Sequence, residues 1–356
     1  MYMNKSNKNI VLVVSVCIII IMLYISYLLD RYFYTTENFG DFNAASLRDA
    51  ELKPRLVSRD GFAVSGTNES SQQLNQENAN RHCEKDDFGQ QPDENLVPVV
   101  EMKKYNVIFV GTVRSVEKYM KKALENIDNC GKKFNDYAVI IYENDSSDKT
   151  REILNENKKD NYHYIFEDNV TESRRTMRIA NGRNKILDKI GEINKTHHYH
   201  YMVALDMDDI NDSGTFVDTI DQCFKYNPEQ WDVLTGNQTT SYYDLWALRK
   251  KGIIEGDFWG EVNKIEDEGK KKEYTDTLFP TVFEKNHLTE IDSAFGGIAI
   301  YKIKSIHESC RYVGFHGENN KHDYPVDSEQ CEHVEFNKCI KNNGGKLFIN
   351  TEFFTY

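Results

Sequence analysis

Between residues 105 and 209 the chain alternates four short apolar runs with three helix-like stretches, and this alternation constrains the fold more than any other feature. NVIFVG at 106–111 is apolar on both faces, as a strand buried in a parallel sheet must be. Val116, Tyr119, Met120, Ala123, Leu124 and Ile127 then recur at helical spacing, with Ser115 placed to cap them. DYAVIIYEND (136–145) reads as a second strand, followed by Ser146, Ser147 and Asp148 ahead of a helix carrying Ile153 and Leu154. YHYIFED (162–168) is a third strand, 174–190 a long helix and HYMVALDMDD (200–209) a fourth strand. Strand–helix alternation of this kind specifies an α/β fold, a mostly parallel sheet with helices on both faces.

The fourth run stops abruptly at Asp206, with Asp208 two positions on and Asp209 beside it. Side chains i and i+2 of a strand point the same way, so Asp206 and Asp208 can share one hard divalent cation, with substrate oxygens and water completing its shell. An isolated Asp-x-Asp is more often a solvated turn. Here Thr112 and Arg114, Glu143 and Asp145, and Asp206 and Asp208 all fall at the carboxyl ends of strands, where ligands of open α/β sheets bind.

The 356 residues suffice for one large or two small domains, and a net charge of −13 argues against nucleic acid, whose phosphates select clustered Lys and Arg. Residues 10–29 carry no charge and are long enough to cross a hydrocarbon core of roughly 30 Å. Lys5 and Lys8 precede them, and Tyr24, Tyr27, Tyr32 and Phe33 suit a membrane interface, so a retained single-pass anchor with a cytoplasmic N-terminus (type II) is expected. The expected layout is a tail at 1–9, a membrane anchor at 10–29, a flexible polar stem at 30–103 and a folded domain at 104–356, lumenal or extracytoplasmic. Asn68 begins a glycosylation sequon, as do Asn169, Asn194 and Asn237; in so Asn-rich a chain the last three also arise by chance. Of the seven cysteines only Cys17 lies in the apolar segment; the other six can pair or stay as buried thiols, and their connectivity is not readable.

YENDSSDKT, then RRTMRIANGRN with Arg175, Ala180, Arg183 and Asn184, then LDMDD, follow the first strand in an order that resembles GT-A fold glycosyltransferases of the family 2-like and fungal capsule-associated mannosyltransferase type. The resemblance spans about residues 105 to 350. It implies a Rossmann-like nucleotide-sugar-binding domain that uses Mn²⁺ or Mg²⁺ to move a sugar from a nucleotide-diphosphate donor to a glycan or glycoprotein acceptor. The chemistry of the residues agrees. Departure of a nucleoside diphosphate builds negative charge, which a cation on Asp206 and Asp208 would stabilise. Arg175, Arg178 and Arg183 can grip phosphate bidentately, against the plainer role of a solvated helix face. Glu143 or Asp145 can accept bonds from the nucleoside, although Asp145 can equally cap the next helix.

The second half should build the acceptor side. TSYYDLWALRKKG (240–252) embeds Asp244 among Tyr242, Tyr243 and Trp246, whose rings stack on sugars or simply pack in the core. Residues 255–286 mix charges of both signs and read as a solvated insertion. IDSAFGGIAIYKI (291–303) resembles the segment lining the acceptor pocket in these enzymes, with Gly296 and Gly297 allowing close backbone approach. Ser328 or Glu329 should begin a helix carrying Val334, Phe336 and Ile340. Inverting members of the resembled group place an acidic general base at such a helix start. Glu332 matches it, while His333 stands where a second carboxylate is usual, which leaves the base open among Glu332, Asp292 and Asp327. His333 can instead ligate a metal, and His316 is a weaker candidate. A catalytically silent nucleotide-sugar- or glycan-binding protein of the same fold is the alternative. Nucleotidyl transfer would need a Gly-rich loop after the first strand, which GTVRS lacks.

Overall fold

A computed structural model describes residues 102–356 apart from 240, 279–282, 284–286 and 319–321. The tail, the apolar segment at 10–29, Asn68, Cys17, Cys83 and all but the last residues of the expected stem lie outside the described residues. Among the described residues no helix is long and apolar enough to cross a membrane.

The domain unfolds along the chain as β1 (Asn106–Val113), α1 (Glu117–Gly131), β2 (Asp136–Asn144), α2 (Thr150–Glu156), β3 (Tyr162–Glu167), α3 (Arg175–Ile193), β4 (Tyr201–Leu205), α4 (Thr215–Thr219), β5 (Val233–Asn237), α5 (Phe258–Asn263), α6 (Glu268–Leu278), β6 (Leu288–Glu290), β7 (Ile298–Lys302), α7 (His333–Asn342) and β8 (Leu347–Phe354). These strands form one eight-stranded sheet in the order β3-β2-β1-β4-β7-β5-β8-β6. β3, β2, β1 and β4 are mutually parallel, and β5 and β8 share their direction. β7 and β6 run against them. The architecture is therefore a mixed α/β sheet, parallel in its first half as expected.

The period of two along each strand divides the core. Val107, Phe109, Val139, Ile141, Val203 and Leu205 face α1, burying against Met120, Leu124 and Ile127 together with Phe224 and Trp231. Ile108, Val110, Ile140, Met202 and Ala204 face the other way, toward Ile186 and Ile190 of α3 and Val334, Phe336 and Ile340 of α7. Each such side chain, fully buried, contributes roughly 1.5–3 kcal/mol, so a strand apolar on both faces is stable only when covered on both.

Local details depart from the sequence expectation where a distant residue outcompetes a near one. Ser115 does not cap α1: its φ is 54°, and the Asp148 carboxylate accepts from the Glu117 N–H at 2.9 Å. The other Asp148 oxygen accepts from Thr150 N–H at 2.9 Å, while Glu117 accepts from Lys149 N–H at 2.7 Å, so two helix starts cap each other. The charged stretch expected as a solvated insertion contains α5, capped by Asp257 through the Gly260 N–H at 2.8 Å, and the exposed α6. The helix expected from Ser328 begins at His333. Glu329 serves a different helix, accepting from Thr176 N–H and hydroxyl at 2.9 Å each near the start of α3. Cys310 and Cys339 form a disulfide, and Cys130, Cys223 and Cys331 are buried free thiols.

Candidate active site

β4 ends at Leu205, and the ladder continues one step: Asp206 N–H donates to Gly297 O at 2.9 Å just ahead of antiparallel β7. This places the Asp206 side chain at the shared edge of β1, β2 and β4. Asn211 locks the turn beyond it, donating through Nδ2 to Asp206 O and Gly297 O at 2.8 Å each. Asp208 accepts from Ile210 N–H at 3.2 Å, and its charge acts on Asp206. Nothing in the sequence singles out Asn211; only the approach of β7 gives its amide two carbonyls to bind.

Gly296 and Gly297 have φ of 67° and 82°. Their lack of a side chain is needed by the fold itself, since both are packed tightly against other parts of the chain. A Cβ on Gly296 would stand 2.5 Å from Gly236 O, and one on Gly297 2.4 Å from the Ile210 Cγ2. Asp244 is drawn into the same corner, accepting from Gly296 N–H at 2.9 Å and Ala247 N–H at 3.3 Å.

Arg183 is where sequence and structure differ most. Expected to hold phosphate, it is buried and binds two carboxylates: Nε donates to Glu332 Oε1 at 3.1 Å, and Nη2 lies 3.4 Å from Asp206 Oδ1. Its guanidinium sits 5.3 Å and 5.6 Å from the Phe295 and Tyr312 ring centres. Glu332 precedes the first residue of α7 without capping it, and its Oε2 has no protein hydrogen bond among the described residues. Arg183 thus ties the D-x-D edge to Glu332.

Three other arginines lie beyond the end of β1 and at the start of α3. Arg114 is exposed after β1 and Arg175 at the start of α3; Arg178 is anchored by Nη1 to Glu172 O and Ser173 O at 3.2 and 2.6 Å. Burial, then the Arg114 and Arg175 charges, weaken the hold of Arg178 on its proton. The charges of Arg114 and Arg175 act on Arg178, so a bound anion would relieve their repulsion. Asp145 stands next to Arg114 but binds the loop after β3: its oxygens accept from Asn169 N–H at 2.7 Å and Val170 N–H at 3.0 Å, and these bonds hold its carboxyl below the usual range. Thr112 is half-buried near the end of β1. Glu143, expected to face a nucleoside, is fully buried with both oxygens engaged, by Ser146 N–H at 2.9 Å and by Arg151.

Several other candidates are held elsewhere. Asp292 pairs with Lys341 at 2.6 Å, nine residues beyond Glu332 and therefore roughly 13 Å down α7. Asp327 is exposed in a left-handed turn. His333, a metal-ligand candidate in the sequence, is packed into the interior: its ring is 2 % exposed, stacked on Phe295 at 3.8 Å and edge-on to Tyr312 at 5.4 Å, and neither ring nitrogen has a hydrogen-bond partner among the described residues. Burial, then the Arg183 charge, push its pKa well below the usual value and keep it neutral. Trp246 is half-buried, donating to Asp257 at 3.0 Å; Arg249 and His316 lie 3.3 and 3.6 Å from the same carboxylate. That Asp257 hub is invisible in the sequence because its four members are up to 70 residues apart.

Burial and then the Asp208 charge raise Asp206 well above the carboxylate range, Arg183 offsetting only part. Burial raises Asp208 to about 6, and likewise Asp244. Among the described residues no cluster of three or more His, Cys, Asp or Glu side chains could hold a metal ion by itself. The residues present nevertheless fit a hard divalent cation shared with a ligand, since Asp206 and Asp208 are oxygen donors whose repulsion a cation would relieve. A cation needs them ionised, so binding of Mn²⁺ should release protons near neutrality and weaken as pH falls through about 6. The sign for stability is opposite: raised carboxyl pKa values stabilise the metal-free fold at low pH, and this is lost as pH rises through about 6. Calorimetric titration with Mn²⁺ at several pH values, in buffers of differing ionisation enthalpy, checks both; a pH-independent affinity would refute the pairing.

No family model matches the sequence, and no curated protein does. Solved structures similar to this chain include residues 1–349 of TarS from S. aureus (13% identity over 69% of this chain and 58% of that one, TM-score 0.37). Others are a mannosyltransferase from Pyrobaculum calidifontis in complex with GDP-Man and Mn²⁺ (10% identity, 70% and 55%, TM-score 0.36) and glucosyl-3-phosphoglycerate synthase from Mycobacterium tuberculosis with Mn²⁺, UDP and phosphoglyceric acid (10%, 58% and 60%, TM-score 0.32). This chain spans little more than half the length of each. None of the three is a capsule-associated mannosyltransferase of fungi, and likenesses this distant carry nothing about activity, which must be read from the side chains.

Proposed function

We propose that the protein is a metal-dependent glycosyltransferase that moves a sugar from a nucleotide-diphosphate donor to a glycan or glycoprotein acceptor, with inversion. The observation that carries this is the chain Asp208–Asp206–Arg183–Glu332. It sets a cation-seeking pair of carboxylates and a carboxylate with one free oxygen at either end of a single guanidinium. A bound Mn²⁺ or Mg²⁺ would supply charge to the departing diphosphate. Arg114, Arg175 and Arg178 bind and orient that diphosphate. Glu332, through Oε2, takes the proton of the attacking acceptor hydroxyl, while Arg183 on Oε1 fixes its orientation. Phe295 and Tyr312 keep water from the guanidinium and so strengthen its hold on both carboxylates.

We further propose that residues 10–29 anchor the chain as a type II membrane protein with this domain on the lumenal or extracytoplasmic side. The Cys310–Cys339 disulfide supports that placement, since disulfides persist in oxidising compartments.

The experiment that tests the function is Asp208→Asn, which keeps the shape of the side chain and removes the charge. Calorimetry with a panel of UDP- and GDP-sugars in Mn²⁺ should find one donor bound by the unaltered protein. For that donor the variant should lose at least about 10–100-fold in affinity, with a melting temperature in chelator no lower than that of the unaltered protein. Equal affinity in the two proteins, or no donor bound by either, would leave Asp206 and Asp208 a solvated turn.

A further inference from the structure

We propose that Asn169 is an N-glycan attachment site, the one sequon of the described domain that the folded protein leaves free to carry a sugar. The inference rests on the extracytoplasmic placement proposed above. Five sequons fall in the described residues: Asn144-Asp145-Ser146, Asn169-Val170-Thr171, Asn194-Lys195-Thr196, Asn211-Asp212-Ser213 and Asn237-Gln238-Thr239. Asn144 is 6 % exposed at the end of β2, and Asn211 is 1 % exposed with its Nδ2 donating to Asp206 O and Gly297 O, so neither side chain can carry a glycan in the folded protein.

Asn237 closes β5, is 7 % exposed, and donates its Nδ2 to Thr351 O at 3.3 Å, so a glycan there would have to push β8 aside. Asn194 follows the last residue of α3 and uses both ends of its amide: Oδ1 accepts from Tyr199 N–H at 3.0 Å, and Nδ2 donates to Tyr199 O at 3.4 Å. The Thr196 hydroxyl is folded back on Ile193 O at 3.2 Å. A sugar on Asn194 would therefore break one end of a turn that leads into β4.

Asn169 is built the other way round. Asn169 and Thr171 are both exposed, in an irregular segment between β3 and α3. The backbone is what the protein holds: Asn169 N–H and Val170 N–H donate to the two Asp145 oxygens, and φ at Asn169 is 59°, a conformation asparagine tolerates. The Asn169 Nδ2 has no hydrogen bond among the described residues. Pinned main chain and unengaged side chain mean that a sugar can be added without disturbing any contact. In the transfer, Nδ2 bonds to the anomeric carbon of a lipid-linked diphospho-oligosaccharide, the carbon–oxygen bond to the diphosphate breaks, and the displaced amide proton leaves with the lipid diphosphate.

The full chain, expressed in a eukaryotic secretory host, is treated with peptide N-glycosidase in ¹⁸O water and its peptides are read by mass spectrometry. The label should appear as Asp at position 169 and be missing at 194 and 237. Asn169→Gln and Thr171→Ala should each remove the same glycan-sized increment from the intact protein. Unlabelled Asn169 in chains labelled at Asn68 would overturn the site while keeping the placement, and so would label at Asn237. Label at no position would overturn the site as well. Protease digestion of the C-terminus in sealed vesicles then shows whether the placement failed with it, and metal-dependent donor binding by the same preparation reports on the enzyme separately.

Discussion

Glu332→Gln is expected to lower turnover by about 10²–10⁴-fold, the usual worth of general-base help, with donor affinity close to that of the unaltered protein. The amide oxygen of glutamine can still accept from Arg183 Nε, which stands 3.1 Å from Glu332 Oε1, so the guanidinium keeps its partner. What is lost is the ability of the second oxygen to receive a proton. Steady-state kinetics with the donor found by calorimetry separates the two effects, and the anomeric configuration of the product reports the stereochemistry. Normal turnover in the variant, or a product with retained configuration, would remove Glu332 from the base role. Asp292 is a poor replacement while Lys341 holds it at 2.6 Å.

Arg183→Met should destabilise the domain by about 3–5 kcal/mol, because removing one partner of a buried ion pair leaves its carboxylates uncompensated. Arg183 is 4 % exposed and Glu332 6 %, so water cannot take over from the guanidinium. Methionine matches the aliphatic stem and still packs on Phe295 and Tyr312, which makes charge the main variable. The loss has a defined pH dependence. Arg183 offsets part of what raises Asp206 above the carboxylate range, so without it the folded-state pKa of Asp206 rises further above that of the unfolded chain, and stability is present at low pH and falls as pH rises. The gap to the unaltered protein should therefore be wider at about pH 8 than at about pH 5. Denaturant unfolding at the two pH values measures it; a variant within about 1 kcal/mol at both would show that the pairing contributes no net stability.

Much of the first half was readable. β1, β2, β3 and β4 sit where the apolar runs put them, because strands buried on both faces leave an unbroken apolar signature that only a covered sheet can satisfy. The edge carrying Arg114, Asp145, Asp206 and Asp208 follows from the same alternation, since parallel strands bring their carboxyl ends together. The second half was less readable. β7 runs antiparallel to β4, and it brings Asp244 to Gly296 from 52 residues away. No local pattern reports a pairing of that range. Capping failed for the same reason: Ser115 was the nearest hydroxyl, but Asp148 reached α1 across a loop and left Ser115 in a left-handed turn.

The sequence by itself determined the α/β class, the strand-helix order as far as β4, and the chemical identity of the edge. These depend on periodicity and on residue type, which act over a few residues. Only the tertiary structure decided which charges meet. Arg183 looks like any cation on a helix until α7 and β4 converge on it; then burial makes it the common partner of Glu332 and Asp206. Glu143 and His333, equally polar in the sequence, were drawn into the interior by Arg151 and by Phe295. Desolvation is the physical reason for the difference: what a charge can do depends on how much water and which partner it is left with, and both are set by residues far away in the chain.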